Sequence, residues 1–511
     1  MARLVDLSVA LKNNTMDPND MKITRLTHTA SSRRMAKGVG VFAEVIGPYF
    51  CANDNVETLT HAGTHVDAPY HFGPMVEGKP AKKIDEVPVE WCYGNGVLLD
   101  FSSTKKSGEA ITVNDLEQEL KRINYTLKPM DIVLIRTGAE EEFDKNPRFW
   151  EYGSGLVRES LMWILDRGVK VVGTDAFTLD IPIPLMVEEL RKGNQGAFFP
   201  VHYAGRDKEY LHIEKLSNLK SLSKPHGFKV AAFPIKVEGG TGGWTRAVAI
   251  EGEGTLSQKP DLLDLSVPLM PEAMEGLYYQ NQVHHLTHEE EARKFAKMFG
   301  LHLGSFPSLQ FFANDLVNCP SHAGTHLDAP YHFGPIVEGK PAKTIDEVPL
   351  EWCYGDGVLL EFSHKKPNDP ITVLELTKEL ERIGYTLKPK DIVLFRTGAE
   401  EHYFNDPNFT EVASGLSGDA FMWLLNQGII TMGTDSFTLD ISIQMMSQKL
   451  KAGDRAAYFP VHCGGVVKET MHVEKLYNLK KLPRPFGFKV AMFPIKLEKC
   501  SAGWTRAAAI L

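Results

Sequence analysis

The chain has 511 residues, 43% of them apolar and 24% charged, a size that asks for more than one domain and a balance that excludes collagen-like and wholly disordered classes. Its 56 Lys and Arg stand against 65 Asp and Glu, a formal charge of −9, so its field repels polyanions and no nucleic-acid partner is expected. No run reaches the ~18 apolar residues that a membrane span needs, and Asp6, Lys12 and Asn13 fall where a signal peptide has its apolar core, so a cytoplasmic protein with no membrane partner is expected.

In chain order, the first half reads as alternating strands and helices. Residues 96–101, GVLLDF, are an apolar run of strand length. Thr112 followed by Asp115 marks a capped helix start, with Val113, Leu116, Leu120 and Ile123 on one face. Residues 131–136 read as a strand, 156–167 as a helix stopped by Gly168, 169–173 as a buried strand, 185–192 as a helix and 228–237 as a strand. The expected fold class is mixed α/β.

The second half repeats the first. HAGTHVDAPYHFGP from His61 returns from His322 with one change, 261 positions later. GTDAFTLD at Gly173 returns as GTDSFTLD at Gly433, and GWTRA at Gly243 returns at Gly503. A period of this length far exceeds the ~20–50 residues of a solenoid unit, so each copy is expected to be a complete domain. The predicted division is 1–250 and 261–511, joined by a polar linker at 251–260, EGEGTLSQKP. The six cysteines form no CxxC pair, which fits a reducing compartment.

The chemistry concentrates at His61, His65, Asp67 and His71, spaced i, i+4, i+6 and i+10. A straight helix separates these residues around its axis, and a straight strand spreads them over roughly 33 Å. Gly63 and Pro69 interrupt the segment, so a bend there can bring several of the side chains to one ion. The other reading is a turn whose histidines cap backbone groups. Far downstream, His202 and Glu214 are twelve apart, as are His462 and Glu474, although the residues between them differ.

HAGTHVDAPYHF with a downstream His and Glu resembles the cyclase family of metal-dependent hydrolases, which includes bacterial kynurenine formamidases and isatin hydrolases. The resemblance implies two tandem swivelling β/β/α cyclase-like domains. It implies metal ligands at His61, His65, Asp67, His202 and Glu214, and at His322, His326, Asp328, His462 and Glu474. His71 and His332 would carry protons. It implies one or two divalent ions per domain, zinc first and manganese as the alternative; two ions would share Asp67. A bound Zn²⁺ lowers the pKa of water from ~15.7 to about 7, and a histidine near its ordinary ~6.5 can protonate a departing nitrogen. The implied activity is hydrolysis of a small-molecule amide, N-formylkynurenine above all. The alternatives are ring opening or cyclisation of an isatin- or lactone-type substrate, and a metal-binding protein without catalysis. Family members usually pair, so an intramolecular pseudo-dimer is expected, with a further homodimer as the other possibility.

Weaker signals complete the reading. His212 and His472 recur in both copies but are expected to turn away from the site, in core or surface roles. Arg136 and Arg396 either bind a substrate carboxylate or pair with a buried acid. Asp175 and Asp180, repeated as Asp435 and Asp440, either support ligands or shape turns.

Overall fold

The computed structural model describes residues 2–17, 21–275, 279–404, 406, 408–412 and 414–511. It divides into two compact units: Met1–Lys22, Glu57–Pro260 and Gln282–Asn318 form the first, and Ile23–Val56, Asp261–Asn281 and Cys319–Leu511 form the second. The linker expected at 251–260 thus falls inside the first unit. Each unit also takes in a segment from the other half of the sequence, 282–318 in the first and 23–56 in the second.

The first unit is built on a curled nine-stranded sheet. Its strands are β1 (Arg3–Asp6), β2 (His65–Asp67), β3 (Tyr93–Asp100), β4 (Ile132–Arg136), β5 (Val171–Thr174), β6 (Leu211–Glu214), β7 (His226–Ala231), β8 (Gly242–Trp244) and β9 (Val248–Glu251), in the order β1-β9-β7-β3-β4-β5-β6-β2-β8. The central neighbours β3, β4, β5 and β6 run parallel, and β2 joins β6 and β8 antiparallel. Burial on both faces explains why β4 reads as a continuous apolar run: Ile132, Val133, Leu134 and Ile135 are all buried. Helices Val113–Arg122 and Arg158–Leu165 place Leu116, Leu120, Leu161 and Ile164 against Val97, Leu99, Val133 and Ile135 of the sheet.

The Thr112 cap forms as predicted, with Asp115 N donating to Thr112 Oγ1 at 3.3 Å and Thr112 N donating to Asp115 Oδ2 at 2.8 Å. The strand predicted over 228–237 ends at Ala231, ahead of Pro234, which has no N–H to extend a ladder. The helix predicted over 185–192 begins earlier, at Ile183, with a proline in its first turn.

The second unit repeats the sheet. Its strands are β10 (Leu262–Asp264), β11 (His326–Asp328), β12 (Tyr354–Glu361), β13 (Ile392–Arg396), β14 (Thr431–Thr434), β15 (Met471–Glu474), β16 (Phe486–Ala491), β17 (Ala502–Trp504) and β18 (Ala508–Ile510), in the order β10-β18-β16-β12-β13-β14-β15-β11-β17. The two similar curled sheets agree with a mixed α/β fold in two tandem domains. Among the described residues, no helix is long and apolar enough to cross a membrane.

Within the first unit, the segment 282–318 folds as strand Gln282–Leu286, helix His288–Phe299 and a return that pairs Asn314 with Leu286. Its Phe306, Phe311 and Phe312 pack with Phe198 and Phe199. Within the second unit, helix His28–Val39 leads to Phe50 and Cys51, which pack with Tyr458 and Phe459.

Candidate metal centre

The bend expected in the motif is present. Gly63 has φ +57°, a left-handed conformation that glycine adopts without steric cost, and a Cβ there would meet Leu11 Cδ2 at 2.4 Å. The chain then runs into β2, and Pro69 opens the short helix Pro69–Phe72 that carries His71. His61, His65, Asp67 and His71 are all buried.

Register delivers the downstream residues. β6 lies antiparallel to β2 with Glu214 opposite His65 and His212 opposite Asp67, so these four side chains share one face. The expectation that His212 turns away is corrected here, because residues i and i+2 of a strand point to the same side. Helix Pro200–Ala204 brings His202 to the same place.

The resulting contacts have the spacing of ligands around an ion. His65 Nε2 lies 3.1 Å from Asp67 Oδ1 and 3.5 Å from Glu214 Oε2. His202 Nε2 lies 3.8 Å from Asp67 Oδ2 and 3.7 Å from Glu214 Oε1. His61 Nδ1 lies 2.7 Å from Asp67 Oδ1. Two ligands at ~2.0–2.2 Å from one tetrahedral ion stand about 3.4 Å apart. His65 Nε2, both Asp67 oxygens and Glu214 Oε1 are buried without a hydrogen-bond partner, as are His326 Nε2, both Asp328 oxygens and Glu474 Oε1 in the second unit. Buried polar atoms are normally paired, so this orphaned set fits a divalent cation. Asp67 belongs to two compact groups, one with His202, His212 and Glu214 and one with His61 and His71, which suits a shared carboxylate.

His212 is in reach but is differently engaged. Leu179 N donates to its Nε2 at 3.2 Å, so the neutral ring carries its hydrogen on Nδ1, which faces Asp67 Oδ2 at 3.5 Å. No hydrogen bond joins the two, since His212 Nδ1 is buried without a partner.

Each remaining histidine is fixed through its other nitrogen. Asp180 Oδ2 holds His202 Nδ1 at 2.6 Å, which settles the role of that aspartate, whereas Asp175 ties down the turn at Thr137 and Gly138. His65 Nδ1 donates to Gly63 O at 2.9 Å and His71 Nδ1 donates to Ala313 O at 2.7 Å. His61 Nε2 lies 3.0 Å from Thr241 Oγ1, whose own hydrogen goes to Asp315 Oδ2. Arg136 is held by Asp100 and Glu140, so of its two readings the structure shows the ion pair.

The second unit repeats these contacts except at His472, which lies opposite Asp328 as His212 lies opposite Asp67 but has both ring nitrogens buried without a hydrogen-bond partner. His322 Nδ1 is 2.7 Å from Asp328 Oδ1, and His326 Nε2 is 3.4 Å from Asp328 Oδ1 and 3.7 Å from Glu474 Oε2. His462 Nε2 is 3.7 Å from Glu474 Oε1, and Asp440 holds its Nδ1 at 2.6 Å. His332 Nδ1 donates to Ala52 O at 2.7 Å, while His322 Nε2 meets Ser501 Oγ at 3.1 Å and Ser501 donates to Asp54.

Burial governs the electrostatics. It pushes His65 down to about 4, against the pull of Asp67, and so keeps the imidazole neutral. Burial and the neighbouring His61 also hold His71 well below the ordinary histidine value, not near it as the sequence suggested. Burial and Asp67 raise Glu214, while the facing histidines hold Asp67 low in spite of its burial.

All twelve residues singled out in the sequence come together in two mirrored clusters. Sequence reasoning missed the outer carboxylates Asp315 and Asp54 and the hydroxyls Thr241 and Ser501. The available signal was their recurrence, AND at Ala313 as at Ala52, and a hydroxyl kept where Thr241 becomes Ser501.

Known proteins resemble parts of this chain. The family model described as "Putative cyclase" matches residues 5–181 and 263–441, once in each half. A kynurenine formamidase of Bacillus cytotoxicus is 27% identical over 135 residues, covering 26% of this chain and 54% of that protein. An isatin hydrolase of Roseibium aggregatum is 25% identical over 211 residues, covering 39% of this chain and 76% of that protein. The match thus spans about half the length of the formamidase. A crystal structure of an isatin hydrolase bound to the product analogue thioisatinate aligns with a TM-score of 0.40 at 20% identity, covering 49% of this chain and 93% of that one.

Proposed function

The chain belongs to the cyclase family, and on that premise we propose that it is a metal-dependent hydrolase of small amides, with an aryl formamide such as N-formylkynurenine as its substrate and one working site in each unit. The observation that supports this most is the mirrored set of orphaned ligand atoms, each beside a histidine that has one free ring nitrogen.

In the first site His61, His65, Asp67, His202 and Glu214 hold the metal; in the second His322, His326, Asp328, His462 and Glu474 do so. A divalent ion, zinc or manganese, supplies Lewis acidity toward the scissile carbonyl and makes water more acidic. His71 keeps its Nδ1 hydrogen on Ala313 O, which leaves Nε2 to take a proton from the attacking water and pass it to the departing nitrogen. His332 does the same from Ala52 O. Formate and the free arylamine result. Asp180 and Asp440 fix the rings of His202 and His462 so that Nε2 faces the carboxylates. Placement in a reducing cytoplasm, expected from the absence of a CxxC pair, is part of the same reading.

Ring opening of a cyclic amide is the second reading, favoured by the longer match to the isatin hydrolase. The same proton-carrying histidines serve it. The test is hydrolysis of N-formylkynurenine and of isatin by metal-stripped protein before and after Zn²⁺ or Mn²⁺ is restored. Metal-restored formate release supports the formamidase reading, and restored isatin opening alone replaces it.

A further inference from the structure

The ligands repeat between the units, but one wall beside them does not. Residues 203 and 206 follow His202 closely on the same short helix and its exit. They are Tyr203 and Arg206 in the first unit, where the second unit has Cys463 and Val466. The segment packed against that edge places Phe312 in the first unit where the second has Cys51. Phe312 lies 4.7 Å from the His202 ring and 5.4 Å from the His71 ring, so it borders both the metal ligand and the proton carrier.

Arg206 is the notable member of this wall. Its Nε donates to Phe72 O at 2.6 Å, directly beyond His71, and its guanidinium lies 4.6 Å over the Tyr203 ring. Gly73 makes room for it, since a Cβ there would approach Arg206 Nε to 2.9 Å. Arg136, Arg246, Arg396 and Arg506 each clamp a carboxylate. Among the described residues Arg206 clamps none: its Nε bonds the Phe72 carbonyl, its guanidinium lies over the Tyr203 ring, and its Nη2 is buried without a hydrogen-bond partner. A half-buried arginine with one buried, unused N–H, bonded to the carbonyl next to His71, is suited to a ligand carboxylate, which its planar fork binds directionally. In the second unit the same edge is open and apolar, with Val466 37% and Val467 56% exposed.

We propose that Arg206 is a specificity-determining residue that binds the carboxylate of substrates of the first site, whereas the second site, with Val466, Cys463 and Cys51 in its place, takes uncharged substrates. The two copies then hydrolyse the same bond in different molecules: aryl formamides bearing a carboxylate at the first site and neutral formamides at the second. This rests on the hydrolase reading above.

The test uses the full, metal-loaded chain with one site silenced at a time, His332→Ala or His71→Ala. N-formylkynurenine is compared with its carboxamide. The first site is expected to favour the acid by about ten-fold or more in kcat/KM, as befits a hydrogen bond to a charged group. Arg206→Gln should remove that preference through the KM of the acid, and Arg206→Lys should restore part of it. The second site should show no preference for the acid. An unchanged acid-to-carboxamide ratio in Arg206→Gln overturns the proposal. Calorimetric titration with kynurenine and its carboxamide separates the two claims. Absence of all formamide turnover defeats the hydrolase reading, while Arg206 is still judged by whether Arg206→Gln weakens kynurenine binding about ten-fold at one site per chain or leaves it unaltered.

Discussion

Thr241 gives its hydroxyl hydrogen to Asp315 at 2.7 Å, across 74 positions of sequence. With that hydrogen committed, Thr241 Oγ1 can only accept from His61, so His61 carries its hydrogen on Nε2 and turns the Nδ1 lone pair toward Asp67. Ser501 and Asp54 impose the same tautomer on His322. Asp315→Ala and Thr241→Val should each weaken metal binding at the first site about 10–100-fold, while Thr241→Ser should be tolerated. Competition against a chromophoric chelator measures this, and native affinity in Asp315→Ala would remove the carboxylate from the account.

His71 and His332 are assigned to proton transfer, not to holding the ion. The double variant His71→Ala, His332→Ala should therefore lose at least about 10²-fold in kcat while keeping most of its bound metal. Loss of metal in proportion to activity would make them ligands instead.

Asp315 is also bonded to His285 Nδ1 at 2.6 Å, and that bond raises His285 above its ordinary value of 6.5 against the opposing effect of its partial burial. Lys83 and Asp85 face the same ring with opposite sign. The pair's stabilisation is fully present below 6.5, the unfolded value, and is lost as pH rises through the raised folded one. Because His285 is 42% exposed, the contribution should stay under about 1 kcal/mol. Urea unfolding of the native chain and of His285→Gln should differ at acid pH and converge at alkaline pH; a gap independent of pH would contradict the linkage.

Gly63 sits at φ +57° with Leu11 pressed against its face. Gly63→Ala combines left-handed strain with that contact and should cost about 1–3 kcal/mol. A shift in the urea midpoint tests it, and an unshifted midpoint would show that the bend does not require glycine.

The motif was legible because its residue types and its two breakers lie within a dozen positions, so local geometry alone could bring His61, His65 and Asp67 together. The strands and the Thr112 cap were legible for the same local reason, and the duplication because its segments recur at a nearly constant offset. Asp54 was not, since it meets Ser501 across 447 positions and no period or spacing marks which distant segments pair. His212 was misread because the two-residue alternation of a strand was applied with the wrong sign. Arg206 escaped notice because what distinguishes it, an unused buried N–H, exists only once Phe72 and Tyr203 have closed around it.

The most direct measurement is the metal content of the native chain, of Asp67→Ala, of Asp328→Ala and of the double variant after identical loading with Zn²⁺. Two independent sites, each organised around one shared carboxylate, predict that either single variant loses half of the bound metal and the double variant loses all of it. Full stoichiometry in the double variant would contradict the account.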